Sequence, residues 1–201
     1  MRIIFVRHAE SVANKNKINA HSDTDLSEKG KTQTKLLAQR LKDEHFEIAY
    51  VSPMLRTRKT AEEILKFHKD TKIIIEPEIR ERNLGEFTGK KSGTFEKAAE
   101  KAGIYIVEFK GESAESIKEM HIRIGNFLNK IIKDDKDVLI VTHGGLITHS
   151  FFHFLAIEEK NGREAYPKYY PKNAEISIVE IKNNKAKIIS MKENKHLIPS
   201  Q

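Results

Sequence analysis

The chain has 201 residues, 38% of them hydrophobic and 32% charged, and no cysteine, which fits one domain with its own core and excludes disulfides, thiolate metal centres, iron–sulfur clusters and a thiol nucleophile. The 36 basic residues against 29 acidic leave a net charge of +7, a balance that steers anionic partners in without naming one. The apolar stretch Ile3-Ile4-Phe5-Val6 is too short for a membrane span or a signal-peptide core, so a soluble, cytoplasmic protein is expected, with no membrane partner.

Strand signal comes first, in the β-branched, apolar segment Arg2 to Val6. Polar residues follow as far as Ser27, read as the N-cap of a helix carrying Leu36, Leu37 and Leu41 on one side. Ile48 to Val51 is a second short strand. Ser52-Pro53 reads as N-cap and first-turn proline of a helix running to about Leu65. Lys72 to Ile75 is a third strand, closed by Pro77. A weak helical stretch lies around Thr94 to Lys101. Ser116 and Glu119 have capping-box spacing ahead of Ile117, Met120, Ile124, Phe127, Leu128 and Ile131, which recur at helical period. Asp137 to Thr142 is a fourth strand and Gly145 to Ala156 a helix. Strands Glu175 to Ile181 and Lys185 to Met191 close the chain, joined at Asn183-Asn184, a pair suited to a tight hairpin.

Strands alternating with helices predict an α/β fold: a three-layer α/β/α arrangement with a mostly parallel central sheet and a C-terminal β-hairpin. Neither a repeat nor a linker divides the chain, so residues 1–201 are read as a single domain. Ligands of such sheets bind beyond the carboxyl ends of the strands. Four predicted strand ends carry Arg7-His8, Ser52 to Arg56, Glu81 and His143-Gly144-Gly145. That set is chemically coherent. A neutral imidazole is a nucleophile near neutral pH, arginine forks match phosphate oxygens, and a glutamate can carry the proton of a leaving alkoxide. Phosphoryl transfer asks mainly for positioning and charge stabilisation.

The same residues carry a resemblance. Arg7-His8-Ala9-Glu10-Ser11 resembles the Arg-His-Gly-Glu motif of the histidine phosphatase superfamily, in its phosphoglycerate-mutase-like branch, with alanine where glycine is commoner. Asn14, Asp25 to Gly30, Ser52 to Ala61, Glu81 with Gly85 and Gly89, Gly111-Glu112-Ser113 and Val141 to Gly145 match later landmarks in order. The resemblance implies that His8 becomes a transient phosphohistidine and that Arg7, Arg56 and His143 surround the phosphoryl group. Asn14 and the Gly144 amide would be further donors, and Glu81 the general acid and base. It implies no metal and no organic cofactor. Ser11, Asn19, Ala20 and Arg82 are candidate substrate contacts. The mutase-like Thr-Gly-Trp stretch is replaced by Asn19-Ala20-His21-Ser22, and the segment from Lys90 to Gly111 is short for a lid. Both departures favour water as the acceptor, hence a cofactor-independent phosphatase of a small phosphate monoester. The alternatives are mutase-type transfer and a non-catalytic binder of phosphorylated ligands or partners. A homodimer stays open.

Other residues have plainer readings. Arg58 and Arg82 fit helix-surface or loop ion pairs, although Arg82 adjoins Glu81. His149 and His153 have metal-ligand spacing on a helix, but no third ligand is evident and Phe151, Phe152 and Phe154 suggest burial. Lys90, Lys91, Lys97, Lys101 and Lys110 are either a basic rim or ordinary solvated surface. No arginine-rich block and no aromatic–basic interleaving points to nucleic acid.

Overall fold

The computed structural model describes residues 1–158, 162–183 and 185–198. Six strands form one sheet: β1 (Arg2–Arg7), β2 (Ile48–Val51), β3 (Lys72–Ile75), β4 (Val138–Thr142), β5 (Ile176–Lys182) and β6 (Lys185–Glu193). Their order is β3-β2-β4-β1-β5-β6. The first four run parallel, and β5 and β6 are added antiparallel to β1 as the expected terminal hairpin. Asn183 takes the positive φ of 49° that its position asked for, while Asn184 lies outside the described residues.

Two-residue alternation along the inner strands divides the core. Ile3 and Phe5 of β1, Ile48 and Tyr50 of β2, and Val138 and Ile140 of β4 face one side. There they meet α5 (Ile117–Ile132) and α6 (Gly144–Phe154) through Ile124, Leu128, Ile131 and Phe151. Ile4, Val6, Ala49, Val51, Leu139 and Val141 face the other side, against Leu37 and Leu41 of α2 (Glu28–Leu41) and Ile64 of α3 (Leu55–Leu65). A strand buried on both faces must be apolar throughout, which explains why β1 and β4 read as unbroken hydrophobic runs. Each such side chain contributes about 1.5–3 kcal/mol on full burial. β3, at the sheet edge, leaves Ile73 and Ile75 about half exposed.

Several local readings need correction. Leu36 does not share the buried side of α2; it is exposed, and the inward stripe is Gly30, Thr34, Leu37, Ala38 and Leu41. These positions follow the helical repeat, whereas Leu36 falls outside it. Ser52 does not cap α3, which starts at Leu55 behind Met54. The polar stretch before Ser27 contains a short helix, α1 (Val12–Asn16), capped by Ser11 with a reciprocal Asn14 bond. A further helix, α7 (Gly162–Tyr169), holds Pro167 inside it, which hid it from a reading that treats proline as a breaker. The capping box of Ser116 and Glu119 at the head of α5 is present as expected.

Between β3 and α5, α4 (Thr94–Ala102) packs a satellite core of Phe87, Phe95, Ala99, Phe109 and Ala114. No helix among the described residues is long and apolar enough to cross a membrane.

The start of α2 is pinned beneath the segment that follows β1. Ser27 N–H donates to the Glu10 carbonyl (2.9 Å) and its hydroxyl to Glu10 Oε1 (2.7 Å). A Cβ on Gly30 would collide with the same carbonyl oxygen. Gly30→Ala should therefore cost about 1–3 kcal/mol of stability, measured by denaturant unfolding. An unchanged midpoint would show that α2 can retreat from Glu10.

Candidate active site

Parallel register brings the chemistry together. β1 lies between β4 and β5, and β4 between β1 and β2, with Arg7 opposite Thr142 and Val51 opposite Val141. The ladder continues one step past the strand ends: His8 N–H donates to Thr142 O (2.9 Å) and Ser52 N–H to Val141 O (3.1 Å). His8, Ser52 and His143 thus emerge side by side. Glu81 arrives from beyond β3 on a loop fastened by the Thr142 hydroxyl, which donates to Ile79 O (2.7 Å).

His8 is almost wholly buried. Its Nδ1 lies 2.7 Å from the Ala9 carbonyl oxygen. Because a carbonyl only accepts, the proton is assigned to Nδ1 and the lone pair to Nε2. Arg56 Nε donates to that Nε2 at 3.3 Å. Burial, then Arg56, then Arg7 hold the imidazole well below the ordinary 6.5, with the Ala9 bond opposing them.

His143, fully buried, stacks edge-on to His8 with ring centroids 5.2 Å apart. Its Nε2 is 2.7 Å from Ser52 Oγ, and its Nδ1 is 3.4 Å from Arg56 Nη2 and 3.9 Å from Glu81 Oε2. Burial, followed by Arg56, also pushes His143 well down. Arg56 is clamped by a bond from Nη1 to His21 O (2.9 Å), and its helix is anchored by Thr60, whose hydroxyl donates to Arg56 O (2.7 Å) while receiving Ala9 N–H (3.1 Å). Arg7 gives Nη1 to Pro171 O (2.6 Å) and lies 4.9 Å from the Tyr170 ring centroid, while its buried Nε has no partner.

Arg7, His8 and Arg56 open onto a cavity of about 1090 Å³, whose wall also includes Asn14 and Glu81. Buried His8, Arg7 and Arg56 face it beside the partly exposed carboxylate of Glu81, while the fully buried His143 stands behind them, outside the lining. Such a basin is suited to a compact polyanion such as a phosphoryl group.

The sequence matches the histidine phosphatase superfamily (branch 1) over residues 3–194. The chain belongs to this superfamily. Phosphoserine phosphatase 1 of Hydrogenobacter thermophilus is 37% identical over 152 residues, 71% of each chain. A probable phosphoglycerate mutase, GpmB of Photorhabdus laumondii, is 41% identical over 86 residues, 42% of this chain and 40% of its own. The crystal structure of phosphoserine phosphatase from Entamoeba histolytica in complex with 3-phosphoglyceric acid superposes with a TM-score of 0.81 at 25% identity, covering 98% of this chain and 99% of that one. Phosphatases and mutases of the superfamily both stand among the relatives.

Not every expected residue reaches the cavity in the expected way. Ser11 is fully buried; its hydroxyl caps α1 by bonding Asn14, so it sits behind the wall. Asn14 lines the cavity, but its Oδ1 accepts from the Ser11 N–H and from Asn173 Nδ2. Ala20 and Asn19 line it too, with the Asn19 amide tied to Phe87 O (2.8 Å). Gly144 begins α6 beneath the Tyr170 ring, while Gly145 faces the cavity, where a Cβ would stand 3.2 Å from Glu81 Oε1. Arg82 does reach an acidic partner, Glu96 Oε1 at 4.0 Å from Nη2, but the side chain is only 12% exposed, lies 4.0 Å over Phe95, and lines the cavity, as its reading as a substrate contact expects. Arg58 is on the surface. Of the lysine group, Lys97 reaches the cavity, and Lys110 is paired with Glu119 at 2.6 Å.

His149 and His153 do not share a ligand set. His149 faces His121 and His153 meets Asn129, and no metal-holding group of three occurs among the described residues. Several contributors were not read from the sequence. Ser52, whose local sequence is that of a helix cap, orients His143. Asn173 donates to both His8 O and Asn14 Oδ1 (3.0 and 3.1 Å). Tyr166 and Tyr170, stacked at 5.2 Å, roof the Arg7 side; their four-residue spacing was the signal for α7.

With burial and two arginines acting together, the His8 ring should stay neutral at pH 6.5 and below. An NMR titration should place its midpoint under 6.5; a midpoint at or above that value would contradict this electrostatic picture.

Proposed function

We propose that the protein is a phosphatase that hydrolyses a phosphate monoester in two steps through His8. The carrying observation is the state of that ring: Nδ1–H is committed to Ala9 O at 2.7 Å, and the Nε2 lone pair stands beside Arg56. A nucleophile with this tautomer needs no base to activate it.

In the first step Nε2 attacks phosphorus, the N–P bond forms, and the P–O bond to the alcohol breaks. Arg7 and Arg56 take the equatorial oxygens, with the unpartnered Arg7 Nε as one donor. Glu81 in its protonated form hands its proton to the leaving oxygen. In the second step Glu81 as carboxylate takes a proton from water, the water oxygen joins phosphorus, and the N–P bond breaks to release inorganic phosphate. An anion beside His143 would favour the imidazolium that burial disfavours, so Nδ1 can donate to a phosphoryl oxygen while Ser52 holds Nε2. No metal or organic cofactor enters either step.

Phosphatase is preferred to mutase on the short segment between Lys90 and Gly111 and on the absence of the Thr-Gly-Trp side chains near Asn19. The likeness to phosphoserine phosphatase 1 makes small phosphorylated hydroxy compounds the natural first panel.

Phosphate release from an aryl phosphate should proceed in the presence of a chelator. It should vanish in His8→Ala with the fold intact and fall about 10²–10⁴-fold in Glu81→Gln. Release unaffected by His8→Ala would overturn the mechanism. Interconversion of phosphoglycerates that needs a bisphosphorylated primer and outpaces release would replace phosphatase with mutase.

A further inference from the structure

Beyond the phosphoryl basin, the cavity wall continues through a run of rings: Arg7 over Tyr170, Tyr170 on Tyr166, Tyr166 at 6.2 Å from His149, and His149 at 5.5 Å from His121. Arg82 lines the same cavity and lies near enough to lower the His149 pKa. Apart from Arg7, none of these residues has a part in the two steps above.

Arg82 is built unlike a structural arginine. Arg123 shows what one looks like in this protein: Nε and Nη2 fork onto Glu115 at 2.8 and 2.9 Å, and Nη1 donates to the Glu78 and Arg80 carbonyls. Arg82 is nearly as buried, yet its Nη1 has no hydrogen-bond partner, and its nearest carboxylate oxygen is Glu96 Oε1 at 4.0 Å. Leaving a guanidinium N–H unsatisfied is costly unless a ligand supplies the acceptor. Phe95 beneath the guanidinium fixes the plane of the fork.

We propose that Arg82, with His149 and His121, forms a second subsite that receives a carboxylate on the organic part of the phosphorylated substrate. The inference rests on the phosphatase reading above and names its substrate class: a phosphate monoester that is also a carboxylic acid. The Nδ1 atoms of His149 and His121 are 3.4 Å apart, so in a neutral pair one donates and the other accepts, and the acceptor ring keeps an Nε2–H. Burial, then His121 and Arg82, hold His149 down to about 3, so it enters uncharged, and the ring of the pair that accepts is the one that offers Nε2–H. Arg82 is the permanent cation of the subsite, with Glu81 and Glu96 already in its field. That charge suits a carboxylate rather than a second phosphate dianion, and Phe152, Met120 and Ile117 give the surrounding wall an apolar character.

O-phospho-L-serine and O-phosphoethanolamine differ only by the carboxylate, so their ratio isolates the subsite. The kcat/KM ratio should favour phosphoserine, and should fall about 10- to 100-fold in Arg82→Gln, with partial recovery in Arg82→Lys and a smaller fall in His149→Phe. A ratio in Arg82→Gln within about twofold of the unsubstituted protein, or equal turnover of the two esters by that protein, overturns the subsite. Calorimetric binding of both esters to His8→Ala protein supplies a readout that needs no turnover. If no ester is hydrolysed, the phosphatase reading fails by itself. The subsite then stands if phosphoserine binds more tightly and Arg82→Gln on the His8→Ala background narrows the gap, and falls if the two esters bind alike. Should Arg82→Gln fail to fold, Arg82→Lys decides by the same ratio.

Discussion

One short hydrogen bond, from His8 Nδ1 to the carbonyl of the next residue, organises the site. It spends one ring nitrogen on the backbone and leaves the other with its lone pair toward Arg56. The bond exists only because the chain turns just after β1, and that turn is held from three sides. Thr142 O receives the His8 amide, Asn173 donates to the His8 carbonyl, and Thr60 receives the Ala9 amide. Beneath it, the start of α2 presses Gly30 and Ser27 against Glu10. Elements far apart in sequence thus converge on one imidazole.

Electrostatics follows from this packing. Two guanidiniums and two imidazoles are buried at adjacent strand ends with Glu81 as the nearest carboxylate. Such a cluster is costly to assemble, and the imidazoles answer by remaining neutral. An incoming phosphoryl group changes the balance, because a dianion among these donors is stabilised without rearranging the scaffold. The loop carrying Glu81 shares Thr142 with His8, through the Thr142 hydroxyl on Ile79 O, and has further ties of its own. Glu86 accepts the amides of Glu112 and Ser113, and Gly85, at φ +50°, lies so close to Ser113 and Ala114 that a side chain would not fit. The proposed proton carrier is therefore tied to the proposed nucleophile through Thr142 and otherwise held by contacts of its own.

Much of this was legible in the residues. Apolar runs at β1 and β4, capping residues at α2 and α5, and short motifs after successive strands were enough for the layered fold and for the meeting of His8, Arg56, Glu81 and His143. The missing parts share a physical cause: they depend on contacts between distant segments. Ser52 has the local signature of a cap, but the β2–β4 register brings it to His143 instead. Asn173 stands in a loop with no periodic signal, and α7 carries a proline that argues against a helix. Arg82 reads as a loop cation because nothing local reveals that Phe95, thirteen positions later, will lie beneath it. Leu36 failed for a local reason, since the buried stripe of α2 runs through Gly30, Thr34, Leu37, Ala38 and Leu41, and Leu36 lies on the side of Leu37 away from it.

The central claim is that His8 acts through Nε2 because Nδ1 is bound to the backbone. Its most direct test is the position of the phosphoryl group on the trapped, acid-labile phosphoenzyme, read by NMR of protein labelled with ¹⁵N at histidine. Phosphorus coupled to Nε2 of His8 is the predicted result. Phosphorus on Nδ1 of His8, or on any other residue, would contradict it.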